Sequence, residues 1–224
     1  MNLRKSFKNK RIISIYHTIS EKYLTNNEKE PLQKQPNINS KIYNTLTEAY
    51  NKEPTPEEIL YYIYSVLYSN VYRTKYSEFL RMDFPRIPFT KDYELFSKMG
   101  IYGKRLTDLH LLESSELDNP IARFQGEGEG KVEKLRYDNE QGHVYINADQ
   151  YFEGVTKEIW EYQIGGYQVC HKWLKDRKDR IKPLSNEEIK HYSKIVTALQ
   201  KTMEIQKSID EIYPEIEKDI IEFR

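Results

Sequence analysis

The sequence predicts an α+β protein, mainly helical, with a small antiparallel β region at about residues 120–165 and a long C-terminal helix. Three observations carry that prediction. Two capping boxes, Thr55-Pro56-Glu57-Glu58 and Ser185-Asn186-Glu187-Glu188, mark helix starts on either side of the middle. Apolar residues follow both at three- and four-residue spacing. Between 120 and 165 that period is lost, and Gly126, Gly128, Gly130 and Gly142 punctuate short runs suited to strands.

Residues 1–37 read as a basic polar lead-in or linker. Arg4, Lys5, Lys8, Lys10 and Arg11 meet no acid within residues 1–11, and only 11–17 resemble a strand. Residues 38–224 form the main domain: a helical part at 38–115, a β part at 120–165 and a second helical part at 167–224. Ser40 to Tyr50 spaces Ile42, Tyr43, Leu46 and Tyr50 on one helical face. After the first capping box, Ile59 to Leu67 is apolar almost all round, which predicts a central helix. A break near Asn70 precedes Tyr72 to Leu80, with Tyr72, Tyr76 and Phe79 expected in the core. Pro85 and Pro88 then forbid regular helix. Thr90 is the expected cap of a helix reaching about Glu113, its inner face Tyr93, Phe96, Ile101, Leu106, Leu109 and Leu112, with a kink at Gly100 and Gly103.

In the β part, Lys131–Tyr137 and His143–Asn147 read as a hairpin, and Glu158–Ile164 as a further strand. Gly165-Gly166 turns into a helix from Tyr167 to about Lys175. After the second capping box, Ile189, Tyr192, Val196, Leu199 and Met203 form a seam suited to a partner helix. Pro214 is expected to end it, leaving Glu215 to Phe223 as a last short helix.

Composition bounds the chemistry. The 224 residues carry 35 Lys+Arg against 35 Asp+Glu, a formal net charge of zero. The longest charge-free run, Ile59 to Tyr72, has 14 residues, too short to span a bilayer. No apolar core follows the basic start, so the reading is of a cytoplasmic protein with no signal peptide and no membrane association. One cysteine, Cys170, excludes a disulfide framework and a Cys-rich zinc site. The charge is locally uneven: residues 71–105 hold eight bases against four acids, and 171–182 six against two. Residues 113–153 run the other way, ten acids against four bases. Basic blocks suit a polyanion, and equally suit solvated faces.

No phosphate-cradling glycine motif is present. His17, His110, His143, His171 and His191 show no metal-ligand spacing, and Cys170-His171 are adjacent and so diverge on a helix. No catalytic residue, metal or cofactor is read; Cys170 fits a buried thiol. Glu57/Glu58 and Glu187/Glu188 stand at helix starts, where the dipole accounts for them. The basic–aromatic stretches are more informative. Arg73, Lys75, Arg81 and Arg86 have the chemistry of phosphate contacts, as do Lys172, Lys175 and Arg177. Gly165-Gly166 leaves a turn apex bare, and Tyr167 and Gln168 follow it, Gln168 with an amide suited to a base edge.

The run from Thr55 to Tyr64, then Tyr72-Arg73-Thr74-Lys75-Tyr76-Ser77-Glu78-Phe79-Leu80 and Asp83-Phe84-Pro85-Arg86-Ile87-Pro88, resembles the C-terminal specificity domain of type ISP restriction–modification enzymes. Leu106 to Ser114, Tyr162 to Val169, Lys172 to Arg177 and Ser185 to Leu199 fit the same family, in order, across about residues 38–212. The resemblance implies a target-recognition domain that binds double-stranded DNA and positions a methyltransferase or nuclease subunit, without catalysis of its own. In such enzymes the nuclease, ATPase and adenine methyltransferase lie in other modules. The P-loop is missing here, and Asn119-Pro120-Ile121 is not the Asn-Pro-Pro-Tyr/Phe motif. The alternative is a protein-interaction module, or a decayed specificity fragment, that binds a partner through its C-terminal helix.

Overall fold

The computed structural model describes residues 16–18, 34–178, 180 and 182–223. The described residues fall into two compact units: those within 105–205, and those within 10–104 together with those within 206–224. We call them the sheet unit and the helical unit. Most of the lead-in expected at 1–37 lies outside the described residues. Within it, β1 (Tyr16–Thr18) pairs antiparallel with β2 (Lys34–Pro36), so the strand expected at 11–17 is present from 16 onward and otherwise outside the described residues.

The helical unit forms where the sequence places helices. Asn39 caps α1 (Ser40–Tyr50), which buries Leu46 and Tyr50. Thr55 and Glu58 form the expected reciprocal box at the start of α2 (Pro56–Tyr68): Thr55 Oγ1 accepts from Glu58 N at 3.2 Å, and Thr55 N donates to Glu58 Oε2 at 2.7 Å. Both amides belong to a first turn that lacks intrahelical acceptors. Ser69 ends α2 in extended conformation and caps α3 (Asn70–Lys75). A further turn, α4 (Phe79–Met82), precedes the proline segment.

Tyrosine hydroxyls hold that proline segment. Tyr72 donates to Arg86 O at 3.0 Å, Tyr62 to Pro88 O at 2.7 Å and Tyr50 to Thr90 O at 2.9 Å. Prolines keep these carbonyls out of a helix, and buried carbonyls need donors. The rings fill the core: Tyr62 stacks on Phe89 and Phe96, each at 5.0 Å, and Tyr72 meets Tyr213 edge-on at 5.9 Å. On the other side, Ile221 N donates to Phe89 O at 2.7 Å and Lys91 N to Asp219 O at 2.9 Å.

Helix α5 spans Tyr93–His110 and stops short of the expected Glu113. Asp92, not Thr90, caps it, accepting from Glu94 N at 2.8 Å and Leu95 N at 3.2 Å. Ile101 is exposed rather than internal, because the inner face runs through Phe96, Met99, Gly100 and Gly103. The two glycines do not break the helix. Gly103 faces the Tyr61 backbone so closely that a Cβ would lie 1.7 Å from the carbonyl oxygen.

In the sheet unit, β3 (Arg123–Gln125), β4 (Arg136–Asp138), β5 (His143–Tyr145) and β6 (Tyr151–Glu153) form an antiparallel sheet in the order β3-β6-β5-β4. The β4–β5 hairpin is as expected, but the strand read at 131–137 shrinks to 136–138. An Asx turn, with Asn147 Oδ1 accepting from Asp149 N and Gln150 N, leads into the unforeseen β6. The strand expected at 158–164 is instead α6 (Lys157–Glu161), capped by Thr156, followed by the two residues of β7 (Gln163–Ile164). β8 (Tyr167–Gln168) pairs with β7, so α7 (Val169–Lys175) begins two residues later than expected.

The last helix, α8 (Asn186–Ile216), starts on the second capping box, Glu188 N donating to Ser185 Oγ at 3.2 Å. Pro214 does not interrupt it. The helix stops two residues later, so the ring falls in its final turn, and no separate helix forms over 215–223. The expected partner-facing seam is used internally. Tyr192, Val196 and Leu199 pack in the sheet-unit core with Phe152 and Trp173, and residues 192, 193 and 195–199 are all buried. Ile209, Tyr213 and Ile216 are likewise buried in the helical unit. Among the described residues no helix is long and apolar enough to cross a membrane.

Candidate functional site

Gly165 and Gly166 make the turn of a two-residue hairpin. Their φ values of +60° and +81° are the left-handed pair that such hairpins require, and only glycine takes both without strain. No atom lies within 4 Å of a Cβ built on either residue, so the tip stands clear of the protein. The register sets Gln163 opposite Gln168 and Ile164 opposite Tyr167. Side chains alternate across a strand, so the two amides share one face and the apolar pair the other.

The amide face borders a concavity of about 450 Å³ that also includes Gly166, Tyr167, His171, Lys172, Lys175 and Asp176. α7 supplies the floor, since residues 171, 172 and 175 share a helical face that continues from Gln168. Lys172 is ion-paired with Asp176, which neutralises it. Lys175 is exposed. His171 packs edge-on against Trp160 at 5.7 Å, and Trp160 stacks on Tyr137 at 5.2 Å. Burial, with Lys175 adding to it, lowers the His171 pKa, so the ring is neutral at pH 7 and both donates and accepts.

The structure therefore brings Gly165, Gly166, Tyr167, Gln168, Lys172 and Lys175 together. Arg177 is a correction. Its side chain is only 11% exposed, donates to Glu188 Oε1 and Trp173 O at 3.0 and 2.9 Å, and stacks on the Trp173 ring at 3.4 Å. Those bonds tie α7 to the start of α8 and hold the guanidinium against the protein. Gln163 and His171 are the residues that sequence reasoning missed. The Gly-Gly pair flanked by Gln-Ile and Tyr-Gln was the available signal for the hairpin.

Arg73, Lys75, Arg81 and Arg86 lie in the helical unit. Lys75 pairs with Glu217, whose other oxygen accepts from Tyr76 and Tyr213 at 2.9 and 2.6 Å. Arg73 donates to Asn70 Oδ1 at 2.6 Å. Arg86 is wholly exposed, 3.6 Å from Asp83, and Arg81 is exposed on α4. Cys170 is buried, as expected, and desolvation pushes its thiol up to about 12. Among the described residues no group of His, Cys, Asp and Glu has the arrangement of a metal site.

A family model described as the Type ISP C-terminal specificity domain matches residues 2–208. The match reaches back well before residue 38, so it includes the lead-in. Three solved structures share the fold. A nuclease-deletion mutant of the Type ISP restriction-modification enzyme LlaGI, in complex with a DNA substrate mimic, has 20% identity and a TM-score of 0.56 over 70% of this chain and 14% of that one. The ATP-dependent Type ISP enzyme LlaBIII bound to DNA has 21% identity and a TM-score of 0.62, covering 87% of this chain and 13% of that one. A DrdV–DNA complex has 21% identity and a TM-score of 0.65, covering 80% and 20%. This chain thus spans no more than a fifth of the length of these three. No curated protein matches.

Proposed function

The chain belongs to the Type ISP C-terminal specificity domain family, and from that premise we propose that it reads a target sequence in double-stranded DNA for a restriction–modification system. It acts in the cytoplasm, positions a methyltransferase or nuclease on the target, and performs no catalysis itself. The observation that carries this reading is the bare-tipped hairpin with Gln163 and Gln168 side by side above Lys175. A two-stranded ribbon fits the major groove. A tip without side chains allows the closest backbone approach to DNA, and glutamine amides match the donor–acceptor pair on the major-groove edge of adenine. Lys175 supplies a phosphate contact that sets register, and the neutral His171 ring adds one donor or acceptor. Tyr167, exposed beside the hairpin tip at the edge of the concavity, is set to lie along sugar or thymine methyl groups. All three fold neighbours are named as DNA complexes, which supports the same reading.

The test is selection from a randomised duplex library at low and moderate salt, with sequencing of the bound fraction. The expected result is an asymmetric motif that Gln163→Ala or Gln168→Ala relaxes at one or two positions. Each lost bidentate contact reduces discrimination by about 1–3 kcal/mol. Salt-sensitive binding with no motif would leave phosphate contact without reading, and no binding at either salt would overturn the proposal.

A further inference from the structure

The concavity beside the hairpin holds one ring whose hydrogen-bonding capacity is unspent. His171 packs edge-on against Trp160, which stacks on Tyr137, so two rings fix where it sits. It is half-buried and lines the concavity. Among the described residues none hydrogen-bonds either of its ring nitrogens. His110 shows the contrast, since its Nε2 is met by Thr202 Oγ1 at 2.9 Å. A partner on one nitrogen fixes the tautomer, and so fixes what the other nitrogen presents. His171 has no such partner among the described residues, and its neutral ring offers either a donor or an acceptor. The charged and titratable groups around it are Lys172, Lys175 and Asp176 on its own helix and Tyr167 on the hairpin. Behind Trp160, α6 carries Lys157, Glu158 and Glu161, of which the two acids act on Tyr137. Lys172 and Asp176 neutralise each other, so Lys175 is the group whose charge reaches the imidazole. Burial and Lys175 hold the imidazole below its ordinary pKa of 6.5, so it gains its proton on the acid side of neutrality.

We infer that His171 sets specificity at one base pair beside the pair that the amides read: degenerate when the ring is neutral, and selective for guanine when it is protonated. The inference rests on the hairpin as the DNA-reading element. Position gives the neighbouring pair. His171 stands three residues past Gln168, about 4.5 Å of helix rise, which is matched to the base-pair step of about 3.4 Å. Chemistry gives the base. The major-groove edge of guanine presents two acceptors, N7 and O6. Adenine and cytosine present an amino donor there, and thymine a methyl group beside O4. A neutral ring meets a donor or an acceptor by changing tautomer, so it does not tell them apart. An imidazolium has donors only. It is mismatched to the amino groups and matched to guanine, and its charge strengthens the bond it makes. Trp160 is the positioning residue, because its edge holds the imidazole in the concavity.

The test is duplex-library selection on the full chain at one salt concentration, at about pH 8 and about pH 5.5, on either side of the imidazole titration. The expected result is one motif in which a single position, unselective at the higher pH, becomes guanine at the lower. There guanine should gain at least about fivefold over adenine in acid, the low end of what one base contact discriminates. Placing 7-deazaguanine at that position, which lacks the N7 acceptor, is expected to remove the gain. His171→Phe keeps a ring against Trp160 and does not titrate. It is expected to leave the position without a pH response, with circular dichroism unchanged. His171→Gln, whose amide keeps a fixed donor and acceptor, is expected to select adenine there at both pH values. A motif identical at both pH values in the wild type would overturn the inference and leave the hairpin reading standing. So would acid tightening equal for every sequence, which assigns His171 to a phosphate. So would a shift that persists in His171→Phe, which assigns the proton to another group. No motif at either pH would overturn both readings.

Discussion

Among single residues, Arg177 and His110 illustrate how burial redirects side chains whose chemistry looks functional. Arg177 stands with Lys172 and Lys175 in a basic block and has the chemistry of a phosphate contact. Its bonds to Glu188 and Trp173 O and its stack on Trp173 make it structural. Arg177→Ala should lower stability by about 1–2 kcal/mol, since it uncovers an indole and removes one of the partners of Glu188, which keeps Arg180 and Ser185 N. Denaturant titration measures that loss, and the salt slope of DNA binding should not move. His110 is buried, and its Nε2 lies 2.9 Å from Thr202 Oγ1. The Thr202 hydroxyl donates to Ala198 O at 2.7 Å, so Nε2 carries the proton. Desolvation holds the imidazole down to about 4, against an ordinary value of 6.5. The unfolded chain therefore binds more protons between those values. This contribution is fully present above pH 6.5 and is lost as pH falls towards 4, a total of about 3 kcal/mol. His110→Gln should flatten that limb of a stability–pH curve; an unchanged limb would refute the assignment. The sequence shows five histidines alike, and only the packing around each separates them.

At the level of elements, what was legible follows from length and local chemistry. α1, α2 and the start of α8 were readable because a cap and an apolar period act within a few residues of each other. The three-residue strands β3 and β6 were not, because so short a run carries no period, and their pairing is a long-range fact. The same limit hid the pairing of Gln163: with Tyr167 and Gln168 read as the start of a helix, the hairpin across Gly165-Gly166 had no second arm. At the cap of α5, Thr90 stands two residues too early, and Asp92 has the geometry. Gly100 and Gly103 show two outcomes of one residue type. Gly103→Ala puts a Cβ into the Tyr61 carbonyl and should cost about 3 kcal/mol or more. At Gly100 the nearest atom to a new Cβ is Glu58 O at 3.8 Å, so Gly100→Ala should stabilise α5 by about 0.5–1 kcal/mol. Paired thermal melts check both, and equal effects would show that Gly103 is not a close-approach site.

Across the whole molecule, zero net charge limits how much affinity for DNA can come from phosphates. Among the described candidate contacts, Lys75 and Lys172 are each paired to an acid and Arg177 is held by Glu188, which leaves Arg73, Arg81, Arg86 and Lys175. The slope of log K against log salt should be shallow, about −2 to −4, and Lys175→Ala should reduce its magnitude by about 1. A slope near −10 would mean a far larger basic face than the structure offers. The helical unit is discontinuous in sequence: its core needs Ile209, Tyr213 and Ile216 as well as residues 40–104. Truncation after residue 208 should therefore abolish hydrogen-exchange protection in α1 and α2. Protection that survives would show the N-terminal portion to be self-sufficient. That discontinuity also imposes a timetable on synthesis. At about 5–20 residues per second, roughly 5–20 s separate the emergence of Lys104 from that of Ile209. For that interval the rings of Tyr62, Tyr72, Phe89 and Phe96 wait for Tyr213 and Ile221, while the entire sheet unit is being made. The nascent chain's most aromatic surface is thus also its longest exposed, and it is there that a chaperone would be needed.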